Sequence, residues 1–241
     1  MNDMLIQTEA QIYLSANRGC TQTDGFRSFH TINFGDYKSE GREAFGRLIA
    51  FNEETLTSEK SNNILVKTPT EILLIPTVGG LELINRYGES VFVNAGETFL
   101  FLAFPESRFT ILNPYLSETI NYLQLHIKPE FYYAGLSQEN IHNESITSFS
   151  LEERNIMKPV FSGGGKNVAG FMGKYGGRQE DEFVLKNPDN GTFIYIVQGA
   201  FEVQNRLLEV GDALSLLNVE TVEFEALSDD GIILVVEVDR S

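Results

Sequence analysis

The sequence predicts an all-β chain: two similar β-domains in tandem, each a barrel or sandwich, with one short helix between them. Three observations carry this. Apolar residues fall in short alternating segments instead of long helical stripes. Gly, Pro, Asn and Asp clusters break the chain between those segments. One strand-and-turn pattern at residues 80–98 returns at residues 199–213, and a repeat this long indicates duplicated domains, not a solenoid.

The elements follow in order. Ile72-Leu73-Leu74-Ile75, Leu81 to Ile84, Ser90 to Val93 and Glu97 to Phe104 read as strands. So do Thr192 to Val197, Ala200 to Val203, Ala213 to Leu217, Val222 to Ala226 and Ile232 to Val238. All are rich in the Val, Ile, Phe and Tyr that suit a pleated surface. Turns are predicted at Gly79-Gly80, Tyr87-Gly88, Asn94-Ala95-Gly96, Asn187 to Gly191, Val210-Gly211-Asp212 and Asp229-Asp230-Gly231. Gly80, Gly96, Gly199 and Gly211 should occupy turns or close backbone approaches. Ser150 to Met157 carries a capping box, with Ser150 at the N-cap and Glu153 at N3, and predicts the short helix. Within the repeat, Gly80-Leu81-Glu82-Leu83-Ile84 matches Gly199-Ala200-Phe201-Glu202-Val203, and Ala95-Gly96-Glu97-Thr98 matches Val210-Gly211-Asp212-Ala213. The predicted division is an N-terminal domain at 1–140, a linker with the helix at 141–165 and a C-terminal domain at 166–241.

A glycine, a strand, a short hairpin and a Gly-acid turn leading another strand resemble the cupin jelly roll, and two copies make a bicupin. Phe26 to Tyr37, followed by Gly46 to Glu54, resembles the opening of pirin-like proteins. Tyr122 to Pro129 resembles the strand that closes their first cupin, with His126 where tryptophan is common, and Gly199 to Val238 resembles their second cupin. The resemblance implies two tandem cupin-type jelly-roll β-barrels with one or a few short helices.

Metal-binding pirins carry a His-x-His pair before the strand that is here Glu71 to Ile75, then a His and an acid before the Asn-Pro that is here Asn113-Pro114. Imidazole and carboxylate donors of this kind enclose an iron-like ion and leave positions open. Aligned on those anchors, the ligand positions hold Leu65, Lys67, Phe109 and Ile111. A one-residue slip offers Val66, Thr68 and Thr110. None is a good ligand, so the expectation is no cofactor, no metal in the usual cupin position, and an apolar first pocket. Candidate ligand-binding residues in the first barrel are Lys67, Glu71, Arg108, Phe109 and Ile111. Lys67 either points into the barrel or pairs with an acid at its mouth.

Other residues weigh toward structural roles. The chain has three histidines and one cysteine. His30 reads as a packing or hydrogen-bonding residue, although a base or lone ligand is the alternative. His126 shares a strand face with Tyr122 and Gln124. His142 lies in a polar loop. Cys20, next to Arg18-Gly19, reads as a buried or idle thiol. Ser162 to Lys166 lacks the spacing of a phosphate loop and reads as a linker.

Composition bounds the function. The 241 residues carry 34 Asp and Glu against 18 Lys and Arg, a formal net charge of −16. Such acidity argues against direct nucleic-acid or anionic-membrane binding. No apolar run is long enough to span a bilayer, and the N-terminus has no secretory pattern, so the expected location is cytoplasmic. Three functions remain open. One is a small-molecule-binding or protein-interaction module with an unidentified ligand or partner. Another is a metal-independent isomerase or hydrolase working in the first barrel, or a metal-dependent dioxygenase if an unconventional site exists. The third, a redox- or stress-linked regulatory partner, rests on fold analogy alone.

Overall fold

The computed structural model describes residues 9–130, 145–163 and 168–240. The chain opens with β1 (Glu9–Tyr13), β2 (Gly19–Thr23) and β3 (Phe26–His30). The first repeat unit holds β4 (Leu48–Leu56), β5 (Ser61–Leu65), β6 (Thr70–Val78), β7 (Leu81–Asn85) and β8 (Ser90–Val93). It continues through β9 (Glu97–Ala103), β10 (Arg108–Leu112) and β11 (Ile120–Ile127). Then come β12 (Ser145–Ser148), β13 (Lys158–Gly163), β14 (Val168–Tyr175), β15 (Glu180–Val184), β16 (Gly191–Gln198) and β17 (Ala200–Val203). The last are β18 (Arg206–Glu209), β19 (Ala213–Leu217), β20 (Thr221–Ala226) and β21 (Gly231–Val238). Among the described residues no helix is long and apolar enough to cross a membrane.

Each barrel is a large sheet closed by a small one. The first pairs β12-β9-β6-β11-β4-β3-β2 with β5-β10-β7-β8, and the second pairs β1-β19-β16-β21-β14-β13 with β15-β20-β17-β18. The chain is therefore all-β, two tandem jelly-roll barrels.

Period-two alternation decides which core each residue joins. On β11, Leu123, Leu125 and Ile127 enter the core between the two large sheets, while Ile120 and Tyr122 enter the first barrel. On β21, Leu234, Val236 and Val238 face the inter-sheet core, and Ile233 and Val235 face the second barrel. Three cores result, one inside each barrel and one between them.

Two local expectations are corrected. Ser150 to Met157 forms no helix. The Glu152 amide does donate to Ser150 Oγ at 3.3 Å, but Asn155 turns to a φ of 59° and its amide donates to Lys174 O at 2.8 Å. Docking onto β14 outweighs the local capping signal. Within 141–165, read as a linker, β12 adds to the first barrel by pairing with β9, and β13 adds to the second by pairing with β14. At the other end of the chain, β1 pairs with β19 of the second barrel, so sheet membership crosses the linear division.

The marked glycines sit as their chemistry requires. Gly96, Gly199 and Gly211 have φ of 85°, 79° and 82°, and a Cβ on Gly80 would meet Phe92 at 2.5 Å. At Gly211 a Cβ would also lie 2.9 Å from Arg18 Nη2. Arg18 bridges the barrels: its Nη1 is 2.7 Å from Glu53 Oε2 on β4 and 3.2 Å from the hydroxyl of Tyr195 on β16. Gly211→Val should thus cost about 1–3 kcal/mol through backbone strain plus displacement of this contact. Urea unfolding measures it, and a variant as stable as wild type would refute the turn geometry.

Candidate functional site

Three strands of the first barrel line up polar side chains on one interior wall. Registers place Ser28 opposite Glu54 and His30 opposite Asn52, then Glu54 opposite Tyr122, Asn52 opposite Gln124 and Ala50 opposite His126. Because directly paired residues share a face, the pleat alone assembles this row. Ser28, His30, Asn52, Glu54, Tyr122 and Gln124 are all at most 2% exposed, and His126 is partly buried.

The wall is wired internally. Tyr122 donates to Glu54 Oε2 at 2.6 Å, and Ser28 donates to Oε1 at 3.2 Å. Asn62, opposite Ile111 in the β5–β10 pairing, also supports the carboxyl. Burial nevertheless dominates and raises the Glu54 pKa to about 7. Burial and the neighbouring carboxylate together raise the Tyr122 phenol. His30 Nδ1 lies 2.9 Å from Asn52 Oδ1, and Nε2 lies 2.9 Å from Thr21 Oγ1. His126 Nε2 lies 3.0 Å from Gln124 Nε2, so neutral His126 accepts there. Burial lowers both imidazoles, His126 to about 4. Phe34 covers the two rings, 5.4 Å from His30 and edge-on to His126 at 5.2 Å. Between these hydrogen-bonded groups, Asn52 Nδ2 and Gln124 Oε1 are buried with no hydrogen-bonding partner among the described residues. Most of the remaining interior is hydrocarbon: Phe99 and Phe101 on β9 of the same large sheet and Phe109 on β10 of the small sheet are in ring contact.

Parity corrects the predicted site. On β5 and its continuation Val66 is buried, so Leu65 and Lys67 turn outward and are exposed. Arg108 is exposed and lines an outer groove of about 290 Å³ with Arg86, Asn63 and Thr110. Glu71 shares the face of Leu73 and Ile75, which belong to the inter-sheet core, and its carboxylate lies near Gly163 of the second barrel. Lys67, Glu71 and Arg108 therefore do not converge inside the first barrel. Phe109 and Ile111 do point inside and are buried. Cys20 is exposed, not buried, and His142 lies outside the described residues, as do residues 164–167 of the glycine loop.

Ser28, Asn52 and Glu54 were missed, and Tyr122 and Gln124 were noted only as sharing the strand face of His126. One signal pointed to them: Asn52 and Glu54 stand two apart on β4, and Tyr122, Gln124 and His126 two apart on β11, so each set shares one strand face.

Among the described residues no group of three or more His, Cys, Asp or Glu side chains could hold an ion. Both nitrogens of His30 are engaged, and the family-type positions offer hydrocarbon and an outward lysine.

Residues 167–238 match a family model described as the quercetinase C-terminal cupin domain. The chain is similar in structure to the bacterial pirin YhhW from Escherichia coli, solved with nickel(II). The TM-score is 0.81 at 17% identity, over 97% of this chain and 100% of that one. It is also similar to GK1651 from Geobacillus kaustophilus, with TM-score 0.69, 12% identity and 96% of each chain covered. Quercetin 2,3-dioxygenase from Acinetobacter baumannii gives TM-score 0.69 at 12% identity, over 95% of this chain and 85% of that one. No curated protein sequence matches the chain. The fold is that of a pirin-like bicupin.

Proposed function

We propose that this pirin-like bicupin binds a small polar molecule on the interior wall of its first barrel, without a resident metal ion. One observation carries the reading. A row of polar side chains, with Asn52 Nδ2 and Gln124 Oε1 unpaired among the described residues, lies in an interior lined mainly by hydrocarbon. An unpaired buried amide atom costs about 1–3 kcal/mol, so a chain that keeps two has a use for them. Phe99, Phe101 and Phe109 supply apolar contact for the rest of such a ligand. Metal chemistry reported for similar folds is not carried over, because Lys67 and Leu65 face outward and Phe109 and Ile111 offer no lone pairs.

The test is a structure of protein purified with nothing added, together with elemental analysis. Density beside Asn52 and Gln124, with far less than one equivalent of metal, is the expected result. Near-stoichiometric iron, copper, nickel or zinc that survives dialysis, and is lost on changing first-barrel residues, would overturn the metal-free reading and restore dioxygenase chemistry.

Glu54 favours a second reading. A carboxyl titrating near neutrality beside Tyr122 is suited to general acid–base work, as in a metal-independent isomerase or hydrolase. Loss of turnover in Glu54→Gln with retained ligand binding would select it. Binding unaffected in rate or product by that change would leave a binding module.

A further inference from the structure

The second barrel has a mouth of its own. Register carries one row across its large sheet: Ser162 opposite Ala169, Ala169 opposite Glu237, and Glu237 opposite Thr192. Glu237 alternates in phase with Ile233 and Val235, which belong to the second-barrel core, so this row faces into the barrel at its end. A cavity of about 370 Å³ opens there, bounded by Ser162, Lys186, Asn187, Asn190, Glu237 and Asp239. That volume is within the range of small-molecule pockets.

Its polar groups are prearranged. Glu237 is 3% exposed. Its oxygens accept from the amides of Lys186 at 3.1 Å and Asn187 at 2.9 Å, and from Asn190 Nδ2 at 2.8 Å. These donors are neutral, so they fix the carboxylate without cancelling its charge. Beside it, Thr192 Oγ1 is fully buried and has no hydrogen-bonding partner among the described residues. Lys186 Nζ stands 5.0 Å over the Phe171 ring, and Phe171 belongs to the barrel core below. Asp239 lies 3.6 Å from Arg47 of the first barrel. The cavity therefore presents a fixed anion and a cation that are not ion-paired to each other, with an unpaired hydroxyl between sheet and loop.

We infer that this mouth is a second ligand site, which takes a small zwitterion: an ammonium group toward Glu237 and a carboxylate toward Lys186. A simple cation would meet the lysine and a simple anion would meet the buried glutamate. A molecule carrying both charges satisfies both. The site is independent of the polar wall in the first barrel.

The test is a titration followed by amide NMR with three probes of similar size: L-alanine, ethylamine and propionate. L-Alanine should give saturable shifts at residues 186–192 and 237, and the two singly charged probes should bind at least about tenfold more weakly. Lys186→Met, an exposed change that leaves the Glu237 clamp intact, should remove the preference for L-alanine over ethylamine. Glu237→Gln should abolish binding, and because Glu237 also holds the 186–190 loop, the lysine variant alone suffices to judge. Equal binding of L-alanine and ethylamine by wild type, an unchanged preference in Lys186→Met, or no saturation by any probe would each overturn the inference.

Discussion

Phe51→Ala should lower the unfolding free energy by about 3–5 kcal/mol, the range for emptying a large aromatic from a core. Phe51 is fully buried between the two large sheets. Its ring lies 4.7 Å from Tyr195 and 5.3 Å from Phe193, both on β16 of the second barrel. The lost ring therefore removes packing that joins the barrels, not packing within either one. For a chain of this size the melting temperature should fall by roughly 6–20 °C. The transition should also broaden, because each barrel keeps its own core while the contact between them weakens. Leu116, 79% exposed, is the control, and Leu116→Ala should stay within about 0.5 kcal/mol of wild type. Equal losses in the two variants would remove the inter-sheet core from the account of stability.

The strands and the duplication were legible because they rest on local signals: alternation, glycine turns and a repeated pattern. β6, β7, β9, β16 and β17 follow directly from those. The capping box at Ser150 is also a local signal, and it failed where Asn155 and Lys174 supply a stronger tertiary bond. Assignment of β1 to the second barrel was not legible, since Glu9 to Tyr13 gives no hint that its partner lies at Ala213 to Leu217.

Three of the five candidate residues, Lys67, Glu71 and Arg108, lie outside the first-barrel interior, and strand geometry is the reason. A ligand position inherited by alignment is right only if the strand keeps its parity, and one residue of slip turns every side chain to the other face. Lys67 and Leu65 stand on the wrong side of that slip, whereas Phe109 and Ile111 stand on the right side. The polar wall was hidden differently. Ser28, Glu54 and Tyr122 are far apart in sequence, and only the order β11-β4-β3 brings them into one row. Tyr122, Gln124 and His126 were visible as a shared face. Their partners on β4 required the sheet.

Glu54 and His126 should leave opposite signatures in the dependence of stability on pH. Glu54 titrates at about 7 in the folded chain against 4.5 for an unfolded, solvated glutamate, so between those values the folded chain holds the extra proton. Its burial penalty is full above pH 7 and gone below 4.5, and stability from this group rises as pH falls. The shift corresponds to about 3 kcal/mol. His126 titrates at about 4 when folded against 6.5 for an unfolded, solvated histidine, so there the unfolded chain holds the extra proton. Stability from the imidazole is present above pH 6.5 and is lost as pH falls toward 4. Its size is smaller than the shift alone gives, because His126 keeps some solvent contact. The two slopes oppose each other between pH 4.5 and 6.5, so wild type conceals them. Glu54→Gln should become more stable relative to wild type by about 3 kcal/mol on going from pH 4.5 to 8, after any constant offset from altered hydrogen bonds. His126→Gln should gain relative to wild type in the other direction, as pH falls from 6.5 to 4. Urea unfolding of the three proteins across pH 4 to 8 measures both differences. Parallel curves for Glu54→Gln and wild type would mean that the carboxyl is ionised in the fold at ordinary acidity, and that the interior wall of the first barrel is open to water.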